Sequence, residues 1–175
     1  MPRMLADGKK KFAIMPEAPV NINAITLTEA LASVDYSKAI LASDFDMGFA
    51  ASDRNTEKAL DVKGNAESLG NSNFSGGFSA FRGFLLETGL PDETSIYEEL
   101  WLLIRDKQGT HHILIRHNGK DSPDPFTVDD EVIYVEWVND LPASPGLEGD
   151  IKHRVEGAAQ RFSDGYKPIV AGAGG

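Results

Sequence analysis

Apolar residues change period several times along this chain, and each change marks an element. The clearest helical run is Ile96, Tyr97, Leu100, Trp101, Leu103 and Ile104, spaced three and four residues apart. Ser95-Ile-Tyr-Glu98 opens it as a capping box, and Pro91-Asp-Glu places carboxylates at the positive end of the helix dipole. Arg105 and Lys107 suit the opposite end, and Gly109 is expected to stop the helix. A shorter helix is predicted from about Leu27 to Ser33, opened by Thr26-Leu-Thr-Glu29 and burying Leu27, Ala30, Leu31 and Val34.

Elsewhere the period is two. Thr110 to His117 sets Ile113 and Ile115 on one face and His112, Leu114 and Arg116 on the other. Glu131 to Asn139 sets Ile133, Val135 and Trp137 against Val132, Tyr134, Glu136 and Val138, so both faces of that strand should be covered. Ile151 to Phe162 alternates weakly around Gly157 and two alanines, as a bent or bulged strand near a sheet edge does. Phe45, Met47 and Phe49 alternate with Asp44, Asp46 and Gly48, predicting a strand that leads into a long polar stretch. Phe74, Phe78 and Ala80 predict the strand that leads out, and Lys58 to Lys63 a short strand between them. The pattern is mainly β (α+β), with one flanking helix.

The stretch from about 50 to 73 is too long and polar to order itself by burial, so something outside the subunit is expected to order it. Leu69, Phe74 and Phe78 are its candidate contacts. Residues 1–23 carry Pro2, Pro16 and Pro19 without a sustained period and read as an extended arm. Phe12, Ile14 and Met15 on that arm would gain from a neighbour's surface. Residues 24–165 form a single domain, and 166–175 form a tail of small residues.

Charge narrows the function. With 27 acidic and 17 basic residues the net charge is -10, which disfavours a surface that grips phosphates. No cysteine is present, excluding disulfides, thiolate metal sites and a cysteine nucleophile. The apolar run Phe12-Ala-Ile-Met15 is too short for a signal-peptide core, and Leu100-Trp-Leu-Leu-Ile104 is too short to span a bilayer, so no membrane anchoring is expected.

Candidate chemistry is sparse. His111 and His117 share a strand face about 20 Å apart, too far to hold one ion. They and His112 are expected at solvent or an interface. Asp44-Phe-Asp-Met-Gly48 begins like a calcium loop but misplaces its glycine and lacks the closing glutamate. Gly70 to Gly77 lacks the lysine of a phosphate loop, and Ser72, Ser75 and Ser79 sit in no nucleophile elbow. Neither an enzyme nor a cofactor is expected.

The succession of features resembles a family. A Leu-Thr-Glu-Ala-Leu helix leads to Val34-Asp-Tyr-Ser-Lys-Ala-Ile40, Asp44-Phe-Asp-Met-Gly48 and a Ser52-Asp-Arg-Asn-Thr56 turn, then to Asn73-Phe-Ser-Gly-Gly-Phe-Ser-Ala-Phe-Arg82, one helix and a run of strands. Over residues 20–165 this is similar to the major tail tube proteins of long, flexible-tailed bacteriophages, especially those of actinobacterial hosts. The resemblance implies a β-sandwich or barrel-like tail-tube fold, homohexameric rings and stacking of those rings into a virion tail tube assembled in the host cytoplasm. It also implies a tape measure protein in the lumen, with tail terminator and distal tail or baseplate proteins at the ends.

Six copies would carry about -60 per ring, which holds passing double-stranded DNA off the wall without binding it specifically. The acids expected at the lumen are Asp121, Asp124, Asp129, Asp130, Glu131 and Glu136. In this reading the fold is incomplete alone, its arms and sheet margins being satisfied by sister copies. The alternatives are a tube protein of a phage-derived contractile injection system and a β-sandwich ligand-binding module. Against the module, Trp101 and Trp137 lie within apolar periods rather than on an open face.

Overall fold

A computed structural model describes residues 4–55, 68–69, 71–143, 146 and 148–172. In chain order the elements are β1 (Lys10–Met15), α1 (Leu27–Leu31), β2 (Val34–Asp35), β3 (Gly48–Ala50), β4 (Arg54–Asn55), β5 (Ser68–Leu69), β6 (Asn73–Ser75), β7 (Gly77–Phe81), α2 (Ile96–Ile104), β8 (Thr110–His117), β9 (Glu131–Asn139), β10 (Lys152–Phe162) and β11 (Lys167–Pro168). Short 3-10 turns at Ser37–Ala39 and Ala42–Asp44 precede Phe45, and the strand expected over Phe45, Met47 and Phe49 begins only at Gly48. The short strand expected at Lys58 to Lys63 lies outside the described residues.

The main sheet is antiparallel and curled, in the order β2-β1-β8-β9-β10-β7, with β11 beside β9. β8 pairs with β9 from Thr110↔Val138 to Arg116↔Val132. As their alternation predicts, β8 sends Ile113 and Ile115 into one core and Leu114 into the other, and β9 does the same with Val135 and Trp137 against Val132 and Tyr134. The first core is capped by α2 through Leu100 and Ile104, the second by α1 through Ala30. The capping box of α1 is present, Thr26 and Glu29 each satisfying the other's backbone N–H.

β10 curls the sheet by changing partners. Lys152 to Glu156 pair with β7, whereas Gly157 to Phe162 pair with β9 across an irregularity between Ala159 and Arg161. Gly157 stands at the change. A Cβ there would come within 2.5 and 2.6 Å of the Trp137 ring, so only a glycine lets the strand cross that indole.

The sheet's two margins are tied together by one segment. Val34 and Asp35 pair with β1, and the Tyr36 N–H bonds the Phe12 carbonyl at 3.0 Å. Further on, Ile40 bridges Ala80, and Leu41 and Asp46 donate to the carbonyls of Ser79 and Gly77 on β7. The margins expected to stay open for sister copies are therefore largely closed within the subunit.

The terminal segments differ from expectation in the same way. Lys10 to Met15 are an interior strand paired to β8 at every position, and Phe12, Ile14 and Met15 are buried in their own subunit. The prolines at 16 and 19 end this strand without excluding it from the core. At the other terminus β11 pairs with β9, Ile169 is buried in the second core, and Val170 exchanges backbone bonds with Ile25 and Leu27. Neither segment is a free arm where it is described.

Candidate assembly surfaces

Two features of the surface stand apart from this closed core: a ribbon and an acidic loop. The ribbon is built from β3 with β6 and, further out, β4 with β5. Gly48, Phe49 and Ala50 pair with Ser75, Phe74 and Asn73, then Arg54 and Asn55 pair with Leu69 and Ser68. Each step outward advances one residue on one strand and retreats one on the other, so both pieces share one register. The stretch expected to be an unstructured tether is thus a β-ribbon over these residues, and residues 56–67 and 70 lie outside the described part.

Its root is fixed by charge and by aromatic packing. Arg154 donates to the Asp44 carbonyl at 2.6 Å and to Asp46 Oδ1 at 2.9 Å, while Asp46 also accepts the Gly77 N–H at 2.7 Å. Burial alone would raise the Asp46 carboxyl, but the Gly77 N–H and the Arg154 guanidinium together hold it below its ordinary value. The chain turns from β6 into β7 at Gly76, whose φ of +125° and closeness to the Asp46 and Met47 backbone exclude a side chain. Phe49 and Phe74 then lie 5.7 Å apart, ring to ring, and both meet Phe162, with Tyr166 against Phe49. Phe74 is half-buried in this cluster, whereas Phe78 is fully buried in the first core. Leu69 pairs with Arg54 in the backbone ladder.

The acidic loop joins β8 to β9 and is moulded from below by two cations. Arg116 is 0% exposed and donates to the carbonyls of Asp121, Asp124 and Pro125, with its guanidinium 5.6 Å from the Phe126 ring centroid. Lys11 bonds Asp35 at 2.6 Å and reaches the carbonyls of Ser122 and Asp124. These contacts turn carbonyls inward, which aims side chains out.

Among the acids expected at a lumen, the structure separates three kinds. Asp130 is 2% exposed, bonded to Lys120 at 2.6 Å, Asn118 and the Thr127 N–H, and 3.5 Å from Arg116, so it holds the loop and presents nothing to a surface. Burial would raise its carboxyl, yet these donors hold it below the usual range. Asp121 is paired with Lys9, and Glu136, half-buried in β9, lies 3.5 Å from Arg161. Asp124, Asp129 and Glu131 are exposed and make no ion pair among the described residues.

Of the clustered histidines His117 is exposed as expected and His112 is half-buried, whereas His111 departs from expectation. His111 is buried beside Trp137, and its Nε2 is 3.0 Å from Asn139 Oδ1. The Asn139 amide donates to the carbonyls of Ile104, Asp106 and Asp140, so its oxygen must accept and His111 carries its proton on Nε2. Burial pushes the His111 pKa down, keeping the ring neutral. His112 instead stacks on Tyr134. Among the described residues no group of three or more His, Asp or Glu could hold a metal ion, and no helix is long and apolar enough to cross a membrane.

The chain belongs to the phage tail tube protein family, whose model matches residues 1–172, from β1 through β11. It is a structural protein of the bacteriophage virion. No curated protein matches the chain.

Proposed function

We propose that this chain closes into hexameric rings that stack into the tube of a long, non-contractile tail, and that the tube's acidic lumen conducts double-stranded DNA into the host. Membership of the tail tube family supports self-assembly into a tube. The observation that carries the ring-and-stack reading is the ribbon, whose strands continue one register away from a core that is otherwise closed. A two-stranded ribbon held at its root by Arg154 and four aromatic rings has strand edges that a neighbour can extend, and strand addition is the direct way to use it. Because the margins of the main sheet are tied up internally, assembly through the ribbon need not unfold the subunit.

Asp124, Asp129 and Glu131 supply the lumen charge in this reading, repeated six times around the ring. A tape measure protein would occupy the bore during assembly, with a terminator at one end and distal tail or baseplate proteins at the other. The membrane-free, flexible-tailed form and an actinobacterial host follow the resemblance of residues 20–165. Replacing residues 51–72 with a two-residue Gly-containing turn tests the reading. The shortened chain should fold and melt like the intact one but form no tubes by negative-stain microscopy. Tubes of ordinary length from that variant would refute the ribbon's role.

A further inference from the structure

A cavity of about 700 Å³ opens where β1 parts from the segment that crosses to β7. Phe12, Ile40, Ala42 and Phe45 form its apolar wall, and Lys10 and Lys38 stand at it. The Lys10 ammonium lies 4.7 Å from the centre of the Phe45 ring, and partial desolvation lowers its pKa. Neither lysine makes an ion pair among the described residues. Of the two carboxylates there, Asp35 is already held by Lys11 and Ser37, leaving Asp7 against two ammonium groups. Phe12 directs its N–H and carbonyl to Ser37 and Tyr36, so by strand alternation those of Lys10 point to the same open side, beyond the last β2 pair. The site therefore suits an apolar side chain next to a carboxylate.

The chain carries such a group at the turn between β7 and α2. Phe84 bridges Pro91, the Leu85 N–H bonds the Leu90 carbonyl at 2.8 Å, and Gly89 closes the turn with φ +67°. On it Leu85, Leu86 and Leu90 are 46%, 103% and 61% exposed, beside the exposed Glu87. Three leucines on a turn with satisfied backbone bonds are a preformed knob, so little ordering entropy opposes its docking. Knob and cavity are different patches of one chain, as a head-to-tail contact requires.

We infer that the Leu85–Leu90 turn of one copy seats in the Phe12, Ile40 and Phe45 cavity of the next, with Glu87 against Lys10 and Lys38. The inference rests on the tube reading and adds the residues of one contact between copies. Because the chain has no cysteine, Leu86→Cys with Ala42→Cys tests it without background. Oxidised assemblies of that variant should run as a covalent ladder on non-reducing gels, and each single variant, whose cysteine faces no partner cysteine, should run as the monomer. Lys10→Glu and Glu87→Lys should each raise the critical concentration for assembly at least about tenfold, and the two together should recover most of that loss. Circular dichroism melts establish that every variant is folded. If the intact chain forms tubes while the ladder is absent and the charge reversals change nothing, the contact is wrong and the tube reading stands. An intact chain that stays monomeric at every concentration overturns both.

Discussion

Arg82 and Glu98 meet in a two-point bond, Nε to Oε1 at 2.6 Å and a terminal guanidinium nitrogen to Oε2 at 2.9 Å. Glu98 also accepts the Gly83 N–H at 3.0 Å, and Arg82 lies 4.4 Å from the Trp101 ring. The pair joins the exit of β7 to the first turn of α2, at the base of the Leu85–Leu90 turn. The capping-box reading gave the Glu98 side chain to the backbone of Ser95; only the serine's half is made, because the guanidinium of Arg82 is the stronger partner.

Glu98→Ala should therefore cost about 3 kcal/mol, since it strands a largely desolvated guanidinium. Urea unfolding of the unassembled subunit measures this. A loss below about 1 kcal/mol would mean that water reaches Arg82 freely in solution.

Gly157→Val tests the crossing of β10 over Trp137. The added carbons would overlap the indole and the Val138 carbonyl, so a loss of at least about 3 kcal/mol, or failure to recover soluble protein, is expected. Gly89→Ala, at a turn with open space around it but positive φ, should cost about 1 kcal/mol. Equal effects of the two would show that packing at Trp137 does not govern the first.

Acid should destabilise the subunit in two stages. His111 titrates lower when folded, so its contribution is complete above its unfolded value of 6.5 and is lost as pH falls through the folded one. Asp35, Asp46 and Asp130 are likewise depressed, and their contributions, complete above 3.8, are lost at lower pH still. Melting temperature against pH should bend below about 6.5 and steepen below about 3.8. His111→Gln keeps a donor for Asn139 and should abolish the first bend alone; a bend that survives the substitution assigns it to another group.

A chain lacking residues 1–23 should not fold. That deletion removes β1, which pairs with β8 from Lys10↔His117 to Met15↔His112 and contributes to both cores. Cooperative melting of the truncated chain would show that β1 is dispensable.

Sequence pattern carried the elements whose information is local. The alternation of β8 and β9, the capping box of α1 and the Ser95 cap of α2 lie within a dozen residues, and each appears where the pattern put it. What depends on distant partners did not show. β1 is short and follows no hairpin turn, and its partner lies about a hundred residues away, so its prolines suggested an arm. His111 looked like a surface residue because Asn139, which satisfies it, is 28 residues on. Asp130 belongs to a loop rich in acids, and nothing local distinguishes the one that folds back onto Lys120 and Arg116. The leucine-bearing turn could have been noticed, since Leu85, Leu86 and Leu90 fall between Gly83 and Pro91 with no period to bury them.

The most direct test of the whole account is a cryo-electron micrograph series of the purified, full-length chain at rising concentration, taken to a reconstruction. The account predicts hollow tubes of stacked six-fold rings with Asp124, Asp129 and Glu131 facing the bore. Monomers at every concentration, or a bore lined by lysine and arginine, would contradict it.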